Sequence, residues 1–188
     1  LGQDADFAFS VKTDHIGNVY ISGITMSSTL TFDNIVLNHI GSGTFDAFVA
    51  KYDSNGNNIW AKMIQGSEND YCVDLDVDQD GNIYVTGDSK STSVNFGNNT
   101  ITKTGTRSAT FIAKYDSSGT DLWAKFSTAN SDDYGAGITS DNFGNFYLTG
   151  GFSSSLISFG TSSFPGNAQI LLQLSFGNRG EQFASLFA

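Results

Sequence analysis

Between residues 71 and 77 apolar and polar positions alternate. Tyr71, Val73, Leu75 and Val77 fall on one face, and Cys72, Asp74 and Asp76 on the other. A period of two predicts a half-buried strand. Asp78-Gln-Asp-Gly-Asn82 then reads as a turn, because Gly and Asn enter positive φ at little cost. Ile83–Thr86 is the second predicted strand and Thr110–Tyr115 the third. Asp116-Ser-Ser-Gly119 is a hairpin turn and Leu122–Phe126 the fourth strand. No stretch of similar length carries a 3.6-residue apolar period with caps, so no helix is predicted.

The same pattern is written three times. Asp14-His-Ile-Gly-Asn-Val-Tyr-Ile-Ser-Gly23 aligns with Asp78-Gln-Asp-Gly-Asn-Ile-Tyr-Val-Thr-Gly87 and with Asp141-Asn-Phe-Gly-Asn-Phe-Tyr-Leu-Thr-Gly150. Their Gly-Asn pairs begin at 17, 81 and 144. Asp6-Phe7, Asp70-Tyr71 and Asp133-Tyr134 keep one offset upstream. Phe48-Val-Ala-Lys-Tyr-Asp-Ser-Asn-Gly56, leading to Trp60-Ala-Lys62, returns as Phe111-Ile-Ala-Lys-Tyr-Asp-Ser-Ser-Gly119, leading to Trp123-Ala-Lys125. Phe32, Phe96 and Phe159 recur inside polar connectors. The third copy decays, with Gln173-Leu174 in place of Lys-Tyr and Phe183 in place of Trp.

Four strands with one narrow apolar face cannot hide that face alone, whereas stacked copies can. The expected fold is therefore all-β: a β-propeller of four-stranded antiparallel blades, with blade 1 over 1–66, blade 2 over 67–129 and a degenerate blade 3 over 130–188. Closed propellers hold about four to eight blades. The chain is thus expected to be part of a longer propeller, or to close a ring with other copies of itself. It opens on Leu1 without a Met, which fits a processed form or a piece of a longer chain.

Composition narrows the classes of function. Acidic residues number 19 against 9 basic, a formal charge of −10, and only Glu68 and Glu181 are Glu. Phosphate neutralisation needs a basic patch, so nucleic acid and anionic membrane surfaces are unfavoured partners. Cys72 is the single cysteine, which rules out an intrachain disulfide. No apolar run approaches the roughly 18 residues of a spanning helix.

Together these motifs resemble the bacterial SBBP β-propeller repeats, specifically in copies one and two and more weakly over Gln169–Ala188. The resemblance implies large secreted or cell-surface proteins, often of Bacteroidetes, and a non-enzymatic propeller. It supplies no ligand.

Asp76-Val-Asp78-Gln-Asp80-Gly81 looks like the opening of a calcium loop, and calcium is the only cofactor suggested. Tyr84 and Gly87 stand where its later ligands belong. Lys12 and Thr139 replace Asp76 in the other copies, and Ile16 and Phe143 replace Asp80, so a solvated strand-end turn is the better reading. His15 and His39 have no third ligand, and Cys72 no histidine in its repeat. No Gly-x-Ser-x-Gly elbow occurs, so no enzyme is expected. Trp60, Trp123, Tyr52 and Tyr115 repeat too strictly for a sugar platform and are read as packing between blades. Asn98-Asn-Thr100 matches the glycan acceptor pattern only incidentally.

In a four-stranded blade the connector between strands two and three shares a rim with the link to the next blade. Those segments are Thr25–Asp46, Ser89–Ala109 and Ser153–Gln169, with the links Gln65–Asn69 and Ser127–Asp132. They are long and variable, as recognition loops are. The candidate binding residues are Asn34, Asn38, His39, Glu68, Asn95, Asn98, Asn99, Lys103, Arg107 and Asp132. The expected partner is an extracellular protein or glycan. A spacer that oligomerises through open blade edges and an enzyme with a site at the ring centre are the other readings.

Overall fold

The computed structural model describes residues 3–40, 43–128, 130–141, 145–160, 162–165, 168–176 and 182–187. The chain runs through β1 (Asp6–Thr13), β2 (Val19–Thr25), β3 (Thr29–Phe32), β4 (Ile35–Asn38), β5 (Asp46–Tyr52) and β6 (Asn58–Ile64). The second round is β7 (Asp70–Val77), β8 (Ile83–Ser89), β9 (Ser93–Asn95), β10 (Thr100–Thr102), β11 (Ala109–Tyr115) and β12 (Asp121–Thr128). The third is β13 (Asp133–Ser140), β14 (Asn145–Phe152), β15 (Leu156–Phe159), β16 (Ser162–Pro165), β17 (Ala168–Phe176) and β18 (Gln182–Phe187). Among the described residues no helix is long and apolar enough to cross a membrane.

Each round forms one antiparallel meander: β1-β2-β5-β6, then β7-β8-β11-β12, then β13-β14-β17-β18. The sheets stack. One buried cluster joins Tyr20, Val49, Trp60 and Ile64 of the first sheet to Cys72, Leu75, Val85 and Phe111 of the second. Another joins Tyr84 and Ile112 of the second to Ile138, Phe146 and Leu148 of the third. Equivalent positions show what each neighbour contributes. Leu75 is 0% and Ile138 4% exposed, each covered by the preceding sheet, while their counterpart Val11 on the first sheet is 62% exposed. Burial of this face comes from the neighbouring copy, as stacking requires.

The repeated tryptophan sits in that seam. Trp60 lies over Gly119 in the hairpin turn of the next sheet, where an added Cβ would stand 2.7 Å from the indole, and its Nε1 donates to the Ser117 carbonyl at 3.2 Å. Lys51 donates to the same carbonyl at 3.0 Å, with its ammonium 5.1 Å from the Tyr20 ring centroid. Trp123 meets Phe146 of the third sheet at 5.9 Å between centroids. The positions of Gln173, Leu174 and Phe183 in the decayed copy carry no described side chains.

Two features depart from the expected blade. First, the strict alternation over 71–77 is broken by a bulge between Cys72 and Asp74, which places Cys72 and Leu75 in the same buried cluster and leaves Tyr71 and Val73 half-buried. The same bulge recurs between Ala8 and Ser10 and between Gly135 and Gly137. One extra residue flips the side-chain parity of the rest of the strand. Second, the connectors between strands two and three are not open loops. Each carries a two-stranded hairpin, β3-β4, β9-β10 or β15-β16. Phe32 and Phe96 bury there against Phe48 and Phe111 of their own sheets. The β15-β16 hairpin also pairs with β12 of the preceding sheet, and the Gln65–Asn95 bridge makes the same link one seam earlier.

Candidate functional site

The acidic residues that mark the turns are spent within them. Asp78 Oδ1 accepts the Asp80 and Asn82 N–H groups at 3.0 and 2.8 Å, and Oδ2 accepts Asn82 Nδ2 and the Tyr84 hydroxyl. Asp14 and Asp141 serve Asn18 and Asn145 alike. Asp53 does the same for Asn57, whose amide is the main cause holding that carboxyl below its ordinary range. The three carboxylates of the calcium-like motif therefore do not converge. Asp76 reaches across to the Ser140 N–H and hydroxyl at 2.6 and 2.9 Å, Asp78 closes its turn, and Asp80 is exposed. No cluster of three metal-ligating side chains occurs among the described residues. Cys72 is fully buried, and burial pushes its thiol up to about 12, which leaves no thiolate at neutral pH.

The predicted rim residues divide. The Asn98 and Asn99 N–H groups bind the Asp121 carboxylate at 2.8 and 2.9 Å, fastening the hairpin to its own sheet. Asn95 closes the hairpin turn on the Gly97 N–H. Lys103 is buried with its ammonium on the Arg107 and Gly105 carbonyls, and burial lowers its pKa. His39 lies against Asp46 at 2.7 Å with its side chain 1% exposed, whereas His15 is exposed. Asn34, Asn38 and Glu68 are exposed on the outer connectors. Arg107 pairs with Asp132 at 3.5 Å, both largely exposed. Of the ten, Asp132 alone borders a concave site among the described residues.

That site lies where the first strands of the three sheets meet. In each bulge the residue passed over by the register is Phe9, Val73 or Ala136, and these three line one groove of about 890 Å³. Bulges re-aim side chains, and here they aim the extra residue away from the seams. Tyr71 and Tyr134 add ring surface, and Phe9 and Tyr134 are half-exposed. Phe45 continues the aromatic row, 5.9 Å from Tyr71 and 6.3 Å from Phe7. Asp74 ties the three strands together, accepting the Ser10 hydroxyl at 2.7 Å and the Ile138 N–H at 2.9 Å. At one end Asp88, Asp132 and Asp133 gather beside Lys90 and Ser108. Burial, above all, raises the Asp88 pKa; the Ser108 hydroxyl at 2.7 Å and Lys90 oppose that, and Asp132 adds to it.

Stacked four-stranded meanders whose first strands surround a common groove define a β-propeller. A family model described as a β-propeller repeat, SBBP, matches residues 59–93, which run from the fourth strand of the first sheet to the start of the second connector hairpin. The chain is also 26% identical, over 184 residues, to an uncharacterised WD repeat-containing protein of Acanthamoeba polyphaga mimivirus. That alignment takes in 82% of this chain and 13% of the relative, so the chain spans a small part of that protein's length.

Proposed function

We propose that the chain is a non-enzymatic protein-binding module that receives a partner segment in the groove between its first strands. The observation that carries this is the groove itself: a concave, rigidly backed surface with half-exposed aromatic rings, Phe9 and Tyr134, that the packing of the sheets does not consume. Aromatic rings in a desolvated hollow are where interface energy concentrates. The propeller repeats it resembles, and the WD-repeat naming of its relative, favour a protein partner over a catalytic role. Panning a displayed peptide library tests it. Clones enriched on the chain should lose at least tenfold in retention on a Phe9→Ala/Tyr134→Ala variant, whose altered side chains are half outside the fold. Clones held equally by both would place binding elsewhere, and a glycan array that binds where no peptide does would overturn the protein partner.

The same reading sets the module outside the cell or on its surface, on the strength of the repeat resemblance. Fractionation of the native source should recover the chain from the medium or from surface-labelled cells. Recovery from the cytosol alone would remove that part.

A further inference from the structure

The three copies provide an internal reference for which polar groups the fold needs. In the first two, the aspartate opening the first strand is satisfied from within. Asp6 takes the Thr25 hydroxyl, and Asp70 takes the Ser89 hydroxyl on one oxygen and the Ser91 hydroxyl at 3.0 Å on the other. The register sets Asp133 opposite Phe152, where its counterparts face Thr25 and Ser89. Asp133 is 0% exposed. Its Oδ1 accepts the Ser154 N–H at 2.9 Å, and its Oδ2 is buried without a donor. A buried polar oxygen left unpaired costs the fold its desolvation.

Two further carboxylates beside it are additions to the repeat. Asp88 stands where the first copy has Ile24 and the third Gly151, and Asp132 where the others have Ala5 and Asn69. At each of these positions the other two copies hold an apolar or neutral residue, so stacking does not require the charges. Their partners within the chain are few. Asp88 takes the Ser108 hydroxyl, Asp132 takes the Ser108 N–H at 2.9 Å and the exposed Arg107, and Lys90 borders the groove near Asp88. Three carboxylates thus share Lys90, Arg107 and, through Asp132, the buried Lys103, and one of the three has an oxygen with no donor. Tyr71 and Tyr134 line the same hollow, offering ring surface to a cation.

We infer that this end of the groove, formed by Asp88, Asp132 and Asp133 beside Tyr71 and Tyr134, is a recognition pocket for the guanidinium or ammonium group of a basic residue in the partner segment. The inference rests on the protein-binding reading and supplies its specificity. A guanidinium brings several N–H donors to carboxylates and can lie on an aromatic face. It fits a site that brings three carboxylates together beside two aromatic rings.

The test uses the chain as it stands, with two probes titrated by NMR: a short unstructured peptide carrying one arginine, and the same peptide with neutral citrulline in its place. The arginine peptide should shift the amides of residues 88, 132–134 and 71 saturably, and the citrulline peptide at least tenfold more weakly. Asp133→Asn should weaken the arginine peptide about tenfold. Asp132→Asn, at an exposed position, should also weaken it with an unchanged melting curve, which keeps the result readable if the buried substitution unfolds the chain. Equal binding of the two peptides, or shifts confined to other residues, would overturn the inference. Library peptides that depend on Phe9 and Tyr134 but carry no basic residue would sink the cation pocket and leave the protein-binding reading standing. Arginine binding here, with library binding unaffected by the aromatic variant, would do the reverse.

Discussion

Alanine at position 87 is expected to destabilise the chain by about 3 kcal/mol or more, a large part of the stability of a typical domain. Gly87 does not adopt a positive φ, so the expectation does not come from backbone strain at that residue. It comes from the bulge beside it. A Cβ on Gly87 would stand 1.8 Å from the Tyr71 carbonyl oxygen and 3.1 Å from the Cys72 Cα, both backbone atoms that cannot swing aside. The equivalent Gly23 and Gly150 face the Phe7 and Tyr134 carbonyls at 1.9 and 2.3 Å. The last glycine of the repeated motif is thus fixed by the bulge that turns Phe9, Val73 and Ala136 toward the groove. Gly56 is the control: its φ is +86° and a Cβ there would meet nothing within 4 Å, so Gly56→Ala should cost only about 1–2 kcal/mol. Urea denaturation of both variants checks the pair. A Gly87→Ala cost no larger than that of Gly56→Ala would mean the close approach is not there.

The second large effect concerns the first seam. Asp46 and Asp70 are buried against each other, and burial, reinforced by the other carboxylate, raises the Asp46 pKa to about 8. Asp70 is also raised, chiefly by burial, while the Ser89 and Ser91 hydroxyls draw it back. A carboxyl that holds its proton more tightly when folded contributes stability that is complete below its unfolded value of about 4 and is lost as pH rises through its folded value. His39 runs the other way. Burial lowers its pKa, so its contribution is present above its unfolded value of about 6.5 and is lost as pH falls through the folded one. Asp46→Asn keeps an acceptor for the Gly66 N–H and has no proton to surrender. Relative to the native chain it should gain stability from about pH 5.5 to about pH 8, by up to about 1.4 kcal/mol per pH unit. Urea midpoints across that range measure it, and a pH-independent difference would refute the shared burial of the two acids. The repeat agrees with the direction: Ala109 and Ala168 occupy the position of Asp46 in the other copies.

Much of this fold is legible in the sequence because the copies check one another. Glycines, Asx turns and the Trp-Ala-Lys strand recur at fixed offsets, and each has a local cause that a sequence displays. The bulge is not legible from one strand, since Tyr71, Val73, Leu75 and Val77 alternate cleanly; Cys72 joins the core only because the register slips beside it. The connector hairpins are hidden by length, three or four residues per strand among polar neighbours, although Phe32, Phe96 and Phe159 mark them. Variation along those connectors points to recognition, yet much of it serves hairpins such as the one held by Asp121. Asp88 and Asp133 are open to a different question, namely where a copy departs from its siblings in charge or in the partner of a charge. Asp132 is reached from its place on a variable link. Phe9, Val73 and Ala136 are beyond such reading, because their direction depends on the bulge.

The β15-β16 hairpin has one more consequence. It belongs by sequence to the third copy, yet its strand pairing extends the second sheet to six strands. The unit that is duplicated and the unit that zips shut are therefore out of phase by part of a blade. A fragment trimmed at the motif boundary would part a ladder and leave raw edges on both pieces. One trimmed after the hairpin would keep the outer border of the second blade closed.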